Sequence, residues 1–346
     1  MTLLRTGSVT TYRVGKRGPS GIFRPRVLLL SAGLAMAAAL TFVLELTLGD
    51  YPVSIIDAAG ALFWYGDPTV VDIVYSLRLP RALVGLLTGL AFGMSGAVFQ
   101  SLARNALASP EMIGITEGAN TAAIAGIVLG VGAALGTSTM ALLGATASAI
   151  AVYLLAWRKG TTGYRIILVG IGISALCTSM TSYLIQVSDI YGAQQAMLWL
   201  TGSLNLRDWD HVTPLAIALA VFIPLVLLMS RWLSTLGLGD DTARGLGVPV
   251  QKARLLLMLG GVGLVAFATA AAGPIVFVSL VAPQIALRLV RRPVPPLMAS
   301  ALTGAVIVLG SDLIARPFGL PVGIVTGVIG APYLLWLLAR TNRSVT

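Results

Sequence analysis

Glu117 and Asp312 are acidic residues inside long apolar runs, so they are early candidates for chemistry. An ionisable group within a membrane-spanning segment marks an ion or proton pathway by default. Asp312 has Arg316 four residues later, and an ion pair at that spacing explains both side chains without transport. Neither acid lies at the middle of its run. An ion-coupled secondary transporter, which would need Glu117 or Asp312, is therefore only a remote alternative.

Catalytic and metal-binding patterns are missing from the sequence. His211 is the single histidine, Cys177 is the single cysteine, and no acidic cluster has the spacing of metal ligands. A nucleotide-binding loop of the form G-x-x-x-x-G-K-[ST] does not occur either. We therefore expect no enzyme, no bound metal and no cofactor in this chain, and any ATP must be hydrolysed by a partner.

The elements that would position these residues are membrane helices. Of the 346 residues, 57% are hydrophobic and 10% are charged, and a spanning helix needs roughly 20 apolar residues. The sequence predicts an all-α polytopic protein with about ten spans. The apolar runs cover residues 27–48, 82–102, 115–134, 138–157, 166–188, 212–230, 255–272, 274–290, 297–314 and 321–339.

The cations predict the orientation of these spans. With a cytoplasmic N-terminus, all 23 Lys and Arg residues except Arg78, Arg81, Arg207 and Arg316 fall on the cytoplasmic side. Both termini are then cytoplasmic. The net charge of +10 reflects this topology and does not indicate nucleic-acid binding.

Segments outside the spans complete the predicted organisation. Residues 1–26 form a basic tail that is expected to be disordered, residues 27–340 form one domain of about ten membrane helices, and residues 341–346 form a short tail. The long inner loop 231–254 contains enough helix formers for short surface helices. Residues 51–79 and 189–210 read as outer interfacial helices, because both segments carry tryptophan.

Glycines at four-residue spacing indicate close helix packing. Such spacing lets a neighbouring backbone approach one helix face. The residues concerned are Gly85, Gly89 and Gly93 in the second span, and Gly323 and Gly327 in the last.

Several ordered motifs resemble one family. They lie at residues 77–81, 95–100, 104–110, 199–205, 238–248, 273–278, 282–285, 311–316 and 320–327. Together they are similar to the FecCD-type permeases of iron-siderophore, haem and cobalamin importers, over about residues 30–340. The resemblance implies the cobalamin-permease-like type II ABC importer fold with ten spans. It also implies a second permease subunit, two ATPase subunits and an external substrate-binding protein as partners.

The resemblance also implies roles for individual residues. The ATPase-coupling loop would use Leu236, Leu238, Asp240, Asp241, Arg244, Gly245 and Leu246; docking of the binding protein would use Arg78, Arg81 and Arg316; the cytoplasmic gate would use Arg104, Asn105 and Leu107. Many relatives have proline at Ala106 and histidine at Gln284. Gln284, with residues 201–205, resembles the enterobactin-like branch, whose two permease chains usually differ. The resemblance implies a location in the bacterial inner membrane. The expected cargo is iron carried as a siderophore chelate, with haem or cobalamin as the alternative.

Overall fold

The computed structural model describes residues 2–6, 9–13, 20–23, 25–156, 163–291 and 295–341. The helices are α1 (Pro25–Thr47), α2 (Ile55–Ala61), α3 (Pro68–Asp72), α4 (Leu79–Ala103), α5 (Ile115–Val128), α6 (Gly132–Leu135), α7 (Thr137–Ala156), α8 (Gly163–Val187), α9 (Ile190–Leu200), α10 (Trp209–Leu228), α11 (Ser230–Leu236), α12 (Asp240–Gly245), α13 (Val250–Ala272), α14 (Val278–Val290), α15 (Leu297–Ala315) and α16 (Val322–Thr341). A π-helical turn (Ile73–Arg78) joins α3 to α4, and 3-10 turns lie at Pro110–Ile113 and Arg316–Phe318.

The all-α membrane architecture is confirmed. Among the described residues, seven helical segments are long and apolar enough to cross a membrane, and two shorter apolar helices accompany them. Every apolar run predicted as a span overlaps one of the helices. The predicted inner loop 231–254 contains the short helices α11 and α12, and the outer segments contain α2, α3 and α9.

Three short strands precede the first helix. Their backbones pair as an antiparallel sheet in the order β1-β2-β3. The strands are β1 (Thr2–Thr6), β2 (Val9–Arg13) and β3 (Ser20–Phe23). This pairing concerns the backbone alone, and the predicted lack of order in the N-terminal tail stays a prediction.

Helix α4 lies at the centre of the bundle. In the span that contains it, 78% of the 18 most apolar consecutive residues are buried, against 6% for the span of α1. Its glycines explain this position, because a Cβ atom at Gly89 would lie 2.5 Å from Ala305 Cα and 2.6 Å from the Gly304 carbonyl oxygen. A Cβ at Gly93 would overlap the Ser300 carbonyl, and one at Gly85 would lie 2.9 Å from Leu204 Cδ1. The predicted packing face of α4 is thus the face against α15.

The glycines of the last span behave differently from each other. A Cβ at Gly323 would overlap the Thr201 carbonyl, so α16 packs closely against the segment that follows α9. At Gly327 an added Cβ would meet no atom of the described residues within 4 Å.

Two helices are shorter than their predicted spans, and positive φ angles explain both. Helix α14 begins at Val278 because Gly273 and Phe277 have φ values of 75° and 67°, which break the helix after α13. Helix α5 ends at Val128, two residues before Gly130 with φ 73°. Each therefore covers only part of a bilayer, since an α-helix rises about 1.5 Å per residue.

We predict that Gly89→Ala destabilises the protein, because the new methyl group meets backbone atoms that cannot rotate away. The expected loss is about 1–3 kcal/mol, the usual range for overpacking. Thermal unfolding in detergent measures it. Gly327→Ala is the matched control and should unfold close to the wild-type temperature; equal behaviour of the two variants would contradict the packing assigned to α4.

Candidate functional site

Asp312 forms the centre of a charged cluster at one end of the bundle. Its carboxylate is 1% exposed and accepts hydrogen bonds from Arg81 Nε at 2.8 Å and Arg81 Nη2 at 2.9 Å. Arg81 lies in the first turn of α4 and Asp312 in the last turn of α15. This two-pronged contact, the geometry that suits arginine and carboxylate best, ties these two ends together.

Arg316 extends the same cluster to α1. Its guanidinium pairs with Glu45, which is fully buried near the end of α1, and lies 3.4 Å from Asp312 Oδ2. It also donates to the Leu48 carbonyl at 2.7 Å. The Asp312–Arg316 pair expected from the sequence is present, but Arg81 is the shorter contact of Asp312. Glu45 was missed, although it is an acid within an apolar run.

The hydrogen bonds of Arg78 go to backbone carbonyls. Its guanidinium donates to the Leu46 carbonyl at 2.9 Å, to the Thr47 carbonyl at 3.0 Å and to the Tyr51 carbonyl. The last carbonyls of a helix lack partners within the helix, so Arg78 satisfies the end of α1. Arg78 as a whole residue is only 7% exposed.

The three arginines predicted to dock a binding protein are thus brought together around the end of α1. Arg81 and Arg316 keep 19% and 17% of their side chains exposed. Docking stays a prediction, and Arg81 and Arg316 are better placed for it than Arg78.

The opposite end of the bundle carries the predicted coupling residues. Leu238 and Leu246 flank α12 and are 66% and 65% exposed, whereas Leu236 is 3% exposed and belongs to the core of the chain itself. Asp241 and Arg244 form an exposed pair at 2.9 Å. A Cβ at Gly245 would meet nothing within 4 Å. Of the predicted apolar contacts, Leu238 and Leu246 are the ones available to a partner.

The predicted gate loop follows α4 at this same end. Arg104 ends the helix with φ 50°, a left-handed conformation. The Asn105 side chain accepts a hydrogen bond from the Leu107 backbone at 2.9 Å, and the Asn105 backbone donates to the Gln100 carbonyl at 3.1 Å. These bonds form a turn of the type that asparagine favours. The loop is therefore shaped without proline at Ala106.

Asp240 connects the coupling segment to the gate loop. Arg254 Nη2 lies 2.9 Å from Asp240 Oδ2 and 3.1 Å from Oδ1, and Arg104 Nη2 lies 3.4 Å from Oδ1. The sequence assigned Asp240 and Arg104 to separate loops and gave Arg254 no role in the site. No local spacing could have paired them, because Arg104 and Asp240 are 136 residues apart.

Glu111 is a further acid that sequence reasoning missed. Ser279 Oγ donates to its carboxylate at 2.7 Å, and Ser279 lies in the first turn of α14. Close by, Gln100 donates to the Leu280 carbonyl at 3.0 Å and accepts from Gln284 Nε2 at 2.6 Å. Gln284 therefore takes part in a buried amide pair that joins α4 to α14.

Comparisons with known proteins agree with this architecture. Residues 37–340 match the FecCD transport family. The ferric enterobactin transport system permease protein FepG of Escherichia coli K12 is 37% identical over 92% of this chain and 98% of its own. The iron(3+)-hydroxamate import system permease protein FhuG of Bacillus subtilis 168 is 34% identical over 91% and 98%. A solved metal-chelate type ABC transporter in an inward-facing conformation superposes with a TM-score of 0.79, at 27% identity over 90% and 99% of the two chains.

With these comparisons, the helical bundle is that of a multi-pass membrane protein, the permease subunit of an ABC importer. The chain belongs to the FecCD transport family.

Removing the Asp312 carboxylate should destabilise the bundle. Asp312→Ala leaves Arg81 largely buried without its acid, and breaking a buried pair in this way costs about 3 kcal/mol or more. Thermal unfolding in detergent reports the change. Asp210→Ala removes an exposed acid from the first turn of α10 and should cost at most about 1 kcal/mol. If both variants unfold alike, the cluster does not hold α4 to α15.

Proposed function

We propose that this permease carries an iron(III)-siderophore complex into the bacterial cytoplasm, driven by ATP that separate subunits hydrolyse. The main observation that supports this proposal is the exposed surface at the α12 end of the bundle. Leu238 and Leu246 are exposed beside a short helix, and the sequence has no nucleotide-binding loop of its own. Exposed leucines on a small helix suit insertion into an apolar groove of a partner, here an ATPase subunit.

The distribution of cations supports a cytoplasmic position for the α12 end. Arg104, Arg254 and the other cations of the inner loops lie on the side that the positive-inside rule assigns to the cytoplasm. Arg81 and Arg316 are among the four cations on the opposite side. In this orientation both termini are cytoplasmic.

An exposed polar stripe on α8 supports a second permease subunit. Thr178, Ser182 and Gln186 follow one another at four-residue spacing, which places them on one helix face, and all three are exposed. Polar side chains are poor neighbours for lipid, and within membranes they face protein or water. A second FecCD-type chain, identical or different, would cover α8 and leave a polar pathway between the subunits.

The charged cluster around Asp312 supports docking of an external binding protein. Arg81 and Arg316 are partly exposed on the predicted outer side. Arginine recognises carboxylates through paired hydrogen bonds, so acidic residues on the partner are the expected contacts. Recognition of the chelate would then rest mainly with that partner.

The cargo is proposed from the relatives, which are named for ferric enterobactin and iron(3+)-hydroxamate. A catecholate siderophore is the preferred cargo, on the resemblance of Gln284 and residues 201–205 to the enterobactin-like branch. Iron would enter as its chelate, with no metal bound by the chain itself. Haem and cobalamin are the alternative cargoes.

Iron uptake in a deletion strain tests the cargo. Cells without this gene should lose uptake of iron-55 supplied as one chelate class, and the gene should restore it. Catecholate, hydroxamate and mixed chelates are compared, with labelled haem and cobalamin beside them. Unchanged iron uptake together with lost haem or cobalamin uptake would overturn the cargo and leave the permease assignment intact.

Leu246→Asp should abolish transport and the stimulation of ATP hydrolysis, because a charge replaces an apolar contact with the ATPase. Co-purification of the ATPase with the permease, followed by its hydrolysis rate, measures the effect. Leu206→Asp is the control, since Leu206 is 96% exposed and precedes α10 at the other end. Wild-type assembly and uptake by the Leu246 variant would exclude this segment as the coupling element.

A further inference from the structure

Asp240 is shared by two arginines that come from two different helices. Arg254 Nη2 donates to both carboxylate oxygens, at 2.9 and 3.1 Å, and Arg104 Nη2 lies 3.4 Å from one of them. Asp240 opens α12, Arg254 lies in the second turn of α13, and Arg104 ends α4. One carboxylate therefore joins a small surface helix to two long membrane helices.

The two contacts differ in strength because they differ in burial. The Arg254 side chain is 6% exposed and that of Asp240 is 28% exposed, whereas Arg104 is 50% exposed. Short charge-assisted hydrogen bonds in partly buried places are strong, and longer exposed pairs contribute little. The contact of Asp240 with Arg254 is thus the stronger one, and its contact with Arg104 is the one that breaks and re-forms more easily.

The backbone at this point favours the arrangement. Gly239 precedes Asp240 with φ 116°, a conformation that glycine adopts readily and other residues rarely do. A Cβ atom at Gly239 would lie 3.7 Å from Arg104 Nη1, so the guanidinium passes directly over this glycine. The end of α4 and the start of α12 therefore lie against each other.

Helix α12 has little packing of its own. It is six residues long, and Ala243 is its only buried side chain among the described residues. Helices of this length are not stable alone. The position of α12 thus depends on its neighbours, and the Asp240 cluster is its polar connection to them.

We infer that Asp240 is a positioning residue that transmits displacement of α12 to the end of α4. When a docked ATPase displaces α12, the Asp240 carboxylate moves with the helix. The contact between Asp240 and Arg104 then changes, and the loop 104–109 shifts. Arg254 keeps the start of α13 in contact with Asp240 during the movement. This inference rests on the proposed function, because it takes the ATPase as the partner of α12.

The alternative is a purely structural role, in which the ion pairs of Asp240 only hold α12 in place. A purely structural role predicts lower stability in variants and an unchanged response to ATP. The positioning role predicts that the response itself is lost, even in a variant that folds normally. Arg104→Gln is the informative change, because its exposed side chain contributes little to stability.

The test measures a distance in the assembled complex with its ATPase. Spin labels are placed at Ala106→Cys in the loop and at Leu29→Cys near the start of α1, in a Cys177→Ser background. The distance should change between the nucleotide-free and ATP-bound complex. That change should be lost in Arg104→Gln and in Asp240→Asn. In Lys252→Gln, which removes another exposed cation of the same end, the change should be kept.

A second readout is the amount of iron chelate transported per ATP hydrolysed. This ratio should fall severalfold in Asp240→Asn, because ATP is still hydrolysed while the loop no longer follows α12, and should stay within about twofold in Lys252→Gln. A distance change retained in both cluster variants, or absent from the wild type, overturns the inference. Failure of the wild-type complex to transport iron chelates overturns only the proposed cargo, since the distance measurement needs no cargo.

Discussion

The close contact between α4 and α15 is the constraint on which the rest of the structure depends. Glycines at four-residue spacing let the two backbones meet, so α4 takes the centre of the bundle and has no room for lipid. Both charged clusters include a residue from an end of α4: Arg81 lies in its first turn and Arg104 caps its last. The packing of one helix therefore sets the distance and orientation between the two clusters.

The two clusters share one design with different burial. At each end one carboxylate is shared by two arginines: Asp312 by Arg81 and Arg316, and Asp240 by Arg254 and Arg104. Asp312 is 1% exposed and its cluster joins three long helices. Asp240 is 28% exposed and holds a helix of six residues. Buried charges of this kind resist change because breaking them leaves an unpaired ion, so the Asp312 end is the fixed one and the Asp240 end the movable one.

Hydropathy predicted the spans because a bilayer requires long apolar segments, and glycine spacing predicted the packing face of α4. Hydropathy could not predict the late start of α14, which depends on the backbone conformation at Gly273 and Phe277. Local spacing found only the Asp312–Arg316 pair. Arg81 and Asp312 are 231 residues apart, and nothing in either segment indicates the other. The resemblance of motifs named residues on both clusters, but Glu45, Glu111 and Arg254 became visible only once the chain was folded.

Transport by the purified complex tests the central claim most directly. The permease, its partner subunit, the ATPase and the binding protein are reconstituted in liposomes, and uptake of iron-55 as a catecholate chelate is followed with and without ATP on the α12 side. We expect uptake that needs both ATP and the binding protein and does not respond to a proton or sodium gradient. Uptake driven by such a gradient without ATP would contradict the assignment of this chain to an ATP-driven importer.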